Sequence, residues 1–180
     1  LNMVPFIKKQ IDLGIASFKI EGRMRSIYYV STVLLAYRRM IDAALNGTLT
    51  LEKENYYLKV LNRCANREST PQFFDKLPGE NEQYWNGRME VSNQDFLGLV
   101  LDYDESTKIA TLEVRNYFER GYETEFFGPN HETFSYIVNT IYDDNNEKIS
   151  ICNHPKSIVK LPVDKRLEKN DMMRLKMIDK

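Results

Sequence analysis

Between residues 4 and 13, VPFIKKQIDL, the apolar positions Val4, Ile7 and Ile11 share one helical stripe, with Lys8, Lys9 and Asp12 off it. The spacing predicts a short helix, and Gly14 stands where a C-terminal glycine ends one. Ile15, Ala16, Phe18 and Ile20 then form a brief apolar run that predicts a strand. After it Ser26 can cap a second helix from about Ile27 to Asn46, stopped by Gly47. In that helix Ile27, Val30, Leu34, Tyr37, Ile41 and Ala44 recur at three- and four-residue spacing, a stripe that should lie against a sheet or barrel. A third helix is expected after Thr50, with Glu52 and Glu54 in the first turn where the helix dipole favours acids, running through Leu58 and Leu61 to about Arg63.

From Cys64 to Ser92 turn formers dominate, among them Pro71, Pro78, Gly79, Asn81, Asn86 and Gly87, and the stretch reads as a connector with a domain boundary near Val91. Strand patterns then recur at short intervals: FLGLVLDY (96–103), KIATLEVRN (108–116), YETEFFG (122–128), TFSYIVNTIYD (133–143), EKISICN (147–153), SIVKLPV (157–163) and MMRLKMI (172–178). Turn-rich pieces such as DESTK and DDNNEK separate them. This rhythm predicts a small, mainly antiparallel β-barrel closed on itself, which removes exposed sheet edges. The fold class is therefore α+β: a helical segment with one strand at Ile15–Ile20, then the barrel.

Length and composition refine this picture. With 180 residues, 42% of them hydrophobic, the chain can bury a real core as one domain or two small ones. It begins with Leu1 and shows no signal-peptide pattern, so it reads as a piece of a longer protein. No apolar run approaches the length of a membrane span, and no membrane association is expected. Cys64 and Cys152 form no CxxC pair, which favours free thiols in a reducing compartment, the cytoplasm by default. Cys152 and His154 could supply two ligands to a larger metal site, but a buried thiol beside a turn histidine is the simpler reading, and no metal site is expected. Charge is unevenly spread: residues 1–67 hold 11 Lys and Arg against 5 Asp and Glu, and residues 68–180 hold 14 against 21. A basic front half suggests an anionic partner for it.

The densest charge lies in SFKIEGRMRS (17–26), where Lys19, Glu21, Arg23 and Arg25 sit between the expected strand and the second helix. These side chains could be an exposed ion-pair cluster worth ~0–1 kcal/mol per pair. Alternatively, in a parallel α/β barrel the C-terminal end of a strand opens onto the active-site face. Lys19 and Arg23 would then wall an anion pocket, with Glu21 holding one of them through a charge-assisted hydrogen bond. Basic residues interleaved with aromatics also suit RNA, whose phosphates need cations and whose splayed bases need flat surfaces. Lys19, Arg23, Arg25, Arg38, Arg39, Arg63 and Arg67 alternate here with Tyr28, Tyr29 and Tyr37. Tyr37 lies on the apolar stripe and is expected in the core; Tyr28 and Tyr29 cannot both face inward, so one of them is a candidate stacking surface.

Residues 17–29, SFKIEGRMRSIYY, resemble the K-I-E-G-R-M-K-S-x-Y-Y signature of the peptidase U32 family of collagenase-like proteins. LLAYRRMIDAAL (34–45), ANREST (65–70) and the following Phe73 and Phe74 are similar to further family segments. RNYFERGYETEFFGP (115–129), NHPKSIVKLPV (153–163) and KNDMMR (169–174) resemble its carboxy-terminal β-barrel. Two positions depart from the pattern: Gln72-Phe73 stands where many members read Gly-Phe, and Asn2 where many carry a cysteine. In some relatives that cysteine ligates a [4Fe–4S] cluster, so the resemblance implies a cluster in the full-length family but no cofactor in this segment.

The resemblance implies that residues 1–47 are the C-terminal end of a TIM-barrel-like catalytic domain, 48–92 a helix and irregular connector, and 93–180 the family's β-barrel. It implies one of two activities for the full-length protein, collagenase-like proteolysis or 5-hydroxylation of the wobble uridine of transfer RNA with prephenate implicated. Catalytic residues are then expected upstream of residue 1. The segment itself would bind substrate or partner: transfer RNA through the basic front half, or a protein or peptide. Lys19, Glu21, Arg23, Arg25, Tyr28, Tyr29 and Arg67 are the candidate anion- and substrate-binding residues. The barrel, being acidic, is expected to orient substrate or contact protein, not to grip RNA. No HExxH or GxSxG motif and no local Cys–His pairing supports proteolysis from the residues alone.

Overall fold

The computed structural model describes residues 1–65, 69–71, 73–77, 79–80 and 95–176. The chain divides into two compact units, residues 1–93 and residues 94–180.

The first unit is helical. A 3₁₀ turn at Val4–Phe6 runs into α1 (Ile7–Asp12), followed by α2 (Ile27–Leu45) and α3 (Leu51–Cys64). Both long helices start on the capping residues the sequence supplies: the Ser26 hydroxyl accepts the Tyr29 N–H at 3.2 Å, and the Thr50 hydroxyl accepts the Lys53 N–H at 3.2 Å. Gly14 and Gly47 terminate α1 and α2 with φ of +79° and +68°, which a residue lacking Cβ adopts without steric cost. The core joins Val4 and Ile7 to Tyr28, Val33, Ala36, Met40 and Ala43 of α2 and to Val60, Leu61 and Cys64 of α3.

Two expectations are corrected in this unit. Residues 15–20 form no strand: among the described residues no strand pairs with them, and the exposed Ile15 donates its N–H to the Gln10 carbonyl at 3.1 Å instead. A strand exists only through its ladder, and this segment runs as irregular chain between α1 and α2. In α2, the inward face is Tyr28, Thr32, Val33, Ala36, Met40 and Ala43, while Ile27 and Leu34 of the expected stripe are 54% and 49% exposed. The helix is apolar on two adjacent faces, and the one bearing Ala36 and Ala43 packs, because small side chains let neighbouring helices approach closely.

The second unit is antiparallel β-structure: β1 (Phe96–Asp104), β2 (Ile109–Val114), β3 (Phe118–Glu119), β4 (Glu123–Phe127), β5 (Phe134–Ile137), β6 (Ile141–Asp143), β7 (Lys148–Ile149), β8 (Ile151–Cys152), β9 (Ile158–Pro162) and β10 (Met172–Leu175). Eight strands form one sheet in the order β5-β4-β10-β1-β2-β9-β6-β7, and β3 pairs with β8 separately. The alternation in β2 and β9 turns Ala110, Leu112, Val114, Val159 and Leu161 into a common core with Val100, Phe126, Ile141 and Met173. The antiparallel expectation holds; the closed barrel does not. The sheet curls far enough for the Tyr136 hydroxyl on β5 to donate to the Pro162 carbonyl on β9 at 2.9 Å, but no ladder joins β5 to β7 among the described residues. Edge strands of four and two residues offer too few backbone groups for a closing ladder. The product is a half-barrel, with the single runs expected at 133–143 and 147–153 each broken in two.

Candidate functional site

The charged segment of the first unit forms a tight turn. The Gly22 carbonyl accepts the Arg25 N–H at 3.1 Å, closing a four-residue turn over Gly22, Arg23, Met24 and Arg25. Its third residue, Met24, has φ of +62°, a left-handed conformation that ordinarily selects glycine or asparagine. Gly22 lies against α2: a Cβ there would come within 2.9 Å of Val30 Cγ2. Ser26 caps α2 immediately after the turn, so the helix fixes the turn's exit.

The four charges separate into two kinds. Lys19 Nζ lies 3.0 Å from Glu21 Oε1 with the side chains 84% and 67% exposed, a solvated ion pair that contributes ~0–1 kcal/mol. Arg23 and Arg25 are exposed, and among the described residues neither guanidinium has an acidic partner. Arg25 instead lies over the Tyr29 ring, its Cζ 5.1 Å from the centroid. The paired tyrosines are thereby distinguished: Tyr28 is buried in the helical core and cannot stack on a ligand, whereas Tyr29 is half-buried beneath Arg25. Of the other front-half cations, Arg38 is paired with Asp42, Arg39 and Arg63 are half-buried, and Arg67 lies outside the described residues.

Tyr37 and Asn2 form a separate clasp. The Tyr37 hydroxyl accepts the Met3 N–H at 2.8 Å and lies 3.4 Å from Asn2 Oδ1, which also accepts the Val4 N–H at 3.0 Å. Burial pushes the Tyr37 phenol up from its ordinary value. Asn2 is thus a buried organiser of the 3₁₀ turn. Its carboxamide offers no thiolate to an iron–sulfur cluster, and among the described residues no group of three His, Cys, Asp or Glu side chains could hold a metal ion.

The second unit holds two polar pairs that sequence reading does not single out. Asp171, 2% exposed in its side chain, faces His131 Nε2 at 2.9 Å and accepts the Glu168 N–H at 2.7 Å; His131 Nδ1 lies 2.9 Å from the Glu132 carbonyl. Gly128 makes room for this carboxylate, since a Cβ there would fall 1.9 Å from Asp171 Oδ1. On the neighbouring ladder Arg174 donates to Glu125 at 2.6 Å, both buried, with the guanidinium 4.6 Å from the Phe127 ring centroid. The partners stand about 40 and 50 positions apart, a separation that no local periodicity reports. Cys152 is buried in β8, and burial pushes its thiol up to about 12, far from a reactive thiolate.

Comparison with known proteins places these units in context. The profile described as "Peptidase family U32" matches residues 1–84, and "Peptidase family U32 C-terminal domain" matches residues 92–174. The chain is 42% identical over 174 residues, 97% of its length, to the tRNA hydroxylation protein P1 of Bacillus subtilis, and spans 41% of that protein. It is 26% identical over 94% of its length to the tRNA hydroxylation protein P of Escherichia coli, covering 37% of that protein. A collagenase of Porphyromonas gingivalis is 30% identical over 64% of the chain, which covers 32% of the collagenase. Among solved structures, the C-terminal domain of a Geobacillus thermoleovorans protein described as a U32 peptidase aligns with a TM-score of 0.46 and 40% identity, over 48% of this chain and 98% of that one.

Proposed function

The chain belongs to peptidase family U32, and from that premise we propose that it serves a protein that hydroxylates transfer RNA at carbon 5 of the wobble uridine. The carrying observation is the 42% identity to a tRNA hydroxylation protein across 97% of the chain; the collagenase likeness is lower and covers 64%. In this reading the first unit presents the cationic Arg23 and Arg25 to the RNA. Both guanidiniums are exposed and, among the described residues, have no competing carboxylate. Lys19 is already neutralised by Glu21 and contributes less. Action on transfer RNA would place the protein in the cytoplasm; among the described residues no helix is long and apolar enough to cross a membrane.

Proteolysis is the second reading, supported by the Porphyromonas likeness. The described residues do little for it, since the Cys152 thiol is held protonated in the interior and both His131 ring nitrogens are engaged.

The test is mass spectrometry of transfer-RNA nucleosides from a deletion strain complemented with the full-length protein or with Arg23→Lys. Arg23→Lys keeps the charge and loses the bidentate fork, so hydroxylated uridine should fall while the thermal midpoint stays within a degree or two of the parent. Unchanged nucleosides in the deletion strain itself would sink the hydroxylation reading.

A further inference from the structure

We infer that the Arg23–Met24–Arg25 turn is a contact for unpaired RNA, in which a nucleobase stacks on the Arg25 guanidinium and Met24 wedges against the next base. The inference rests on the proposed action on RNA and adds the part of the RNA that is recognised and the residues that recognise it.

Three observations meet at this turn. Met24 is 96% exposed, the most exposed of the large apolar side chains described, and it stands at the tip between two arginines. Its φ of +62° makes it costly for a residue with a Cβ, by about 1–2 kcal/mol. Glycine would remove that cost. A strained, solvent-facing thioether contributes nothing evident to the fold, and residues kept in such conformations cluster where they meet ligands. Arg25 supplies the third observation. Its guanidinium Cζ stands 5.1 Å from the Tyr29 ring centroid and the residue is exposed, so the cation is held beside the helix while remaining accessible to a ligand.

The chemistry that matches is an anion carrying flat apolar faces. A splayed base stacks on an Arg plane or an aromatic ring, an apolar wedge such as Met inserts beside unstacked bases, and Arg23 is free for the adjoining phosphate. An acidic peptide would satisfy the two charges and leave Met24 and the Arg25 plane unused. A regular RNA duplex would offer phosphates but no accessible base face. Unpaired nucleotides use all three groups.

The experiment measures fluorescence anisotropy of the intact chain with a labelled hairpin RNA bearing an unpaired pyrimidine loop, and with a blunt duplex of equal charge. Met24→Gly should leave the thermal midpoint equal or higher, since glycine suits the left-handed position, and yet weaken loop binding at least about fivefold, within the usual worth of a base stack. Arg25→Lys keeps the charge but loses the plane and should weaken loop binding similarly, leaving duplex binding at the parental level. Arg23→Gln should weaken binding to both RNAs and lower the salt slope by about one. Parental loop affinity in Met24→Gly and Arg25→Lys overturns the inference, as does equal weakening toward loop and duplex, or displacement of the loop by an acidic peptide as readily as by unlabelled loop. The nucleoside measurement is independent: unchanged nucleosides in the deletion strain, together with loop binding lost in Met24→Gly and Arg25→Lys, would overturn the hydroxylation reading and leave this contact standing.

Discussion

Arg174 on β10 stands directly opposite Glu125 on β4 in the antiparallel register, and their side chains, 3% and 7% exposed, meet at 2.6 Å. Removing one partner strands the other charge in the interior, which costs about 3–5 kcal/mol, whereas exchanging both for apolar residues of similar size is close to neutral. Arg174→Ala should therefore lower stability in urea by an amount of that order. The double replacement Arg174→Met with Glu125→Leu should recover most of it. A double variant no more stable than the single would show that the guanidinium has work beyond the pair, such as its contact with Phe127.

The loop from β4 to β5 depends on Gly128. An alanine there would place its Cβ 1.9 Å from Asp171 Oδ1 and 3.2 Å from His131 Nε2, both in a packed setting. Overpacking of this kind costs about 1–3 kcal/mol or more, and Gly128→Ala should unfold at correspondingly lower urea. His131→Ala removes a ring contact from a buried carboxylate and should cost about 1–3 kcal/mol. Because both changes act on one cluster, the double variant should lose less than the sum of the singles.

Asp104 begins the β1–β2 turn and accepts hydrogen bonds from the side chain and backbone of Ser106 and from the Thr107 N–H. These bonds favour the ionised form and hold the carboxyl at about 2, below its ordinary 3.8. A depressed folded value means that the associated stability is fully present above pH 3.8 and is lost as pH falls through about 2. Nuclear magnetic resonance titration of the Asp104 carboxyl should give a midpoint near 2. Asp104→Asn should flatten the dependence of stability on pH within that window and leave it unchanged near neutrality.

The rotated face of α2 separates two substitutions that look alike in sequence. Ala36 is 1% exposed and Leu34 49%. Ala36→Leu should therefore overpack the helical unit and cost about 1–3 kcal/mol, while Leu34→Gln should change thermal stability by about half a kcal/mol or less. Equal effects would place the stripe read from periodicity back in the core.

Capping and termination were legible because they are local. Ser26, Thr50, Gly14 and Gly47 act on backbone groups within a few residues, so their types predict the helix ends that form. The face of α2 was less legible, since apolar residues fill two adjacent stripes and spacing alone weighs them equally. Packing against α1 and α3 selected the one with small side chains.

For the candidate site, the sequence by itself determined which residues are charged, that they precede a capped helix, and that one of Tyr28 and Tyr29 must face outward. Tertiary structure decided the rest. It paired Lys19 with Glu21, left Arg23 and Arg25 without acidic partners among the described residues, buried Tyr28, and set Met24 at the tip with a positive φ. It also brought Asp171 to His131 and Arg174 to Glu125, and kept the half-barrel open between β5 and β7. The division has a physical cause. Periodicity and capping depend on neighbours within one helical turn or one pleat, whereas partner choice, burial and sheet closure depend on which residues distant in sequence the lowest-free-energy packing brings to hydrogen-bonding distance.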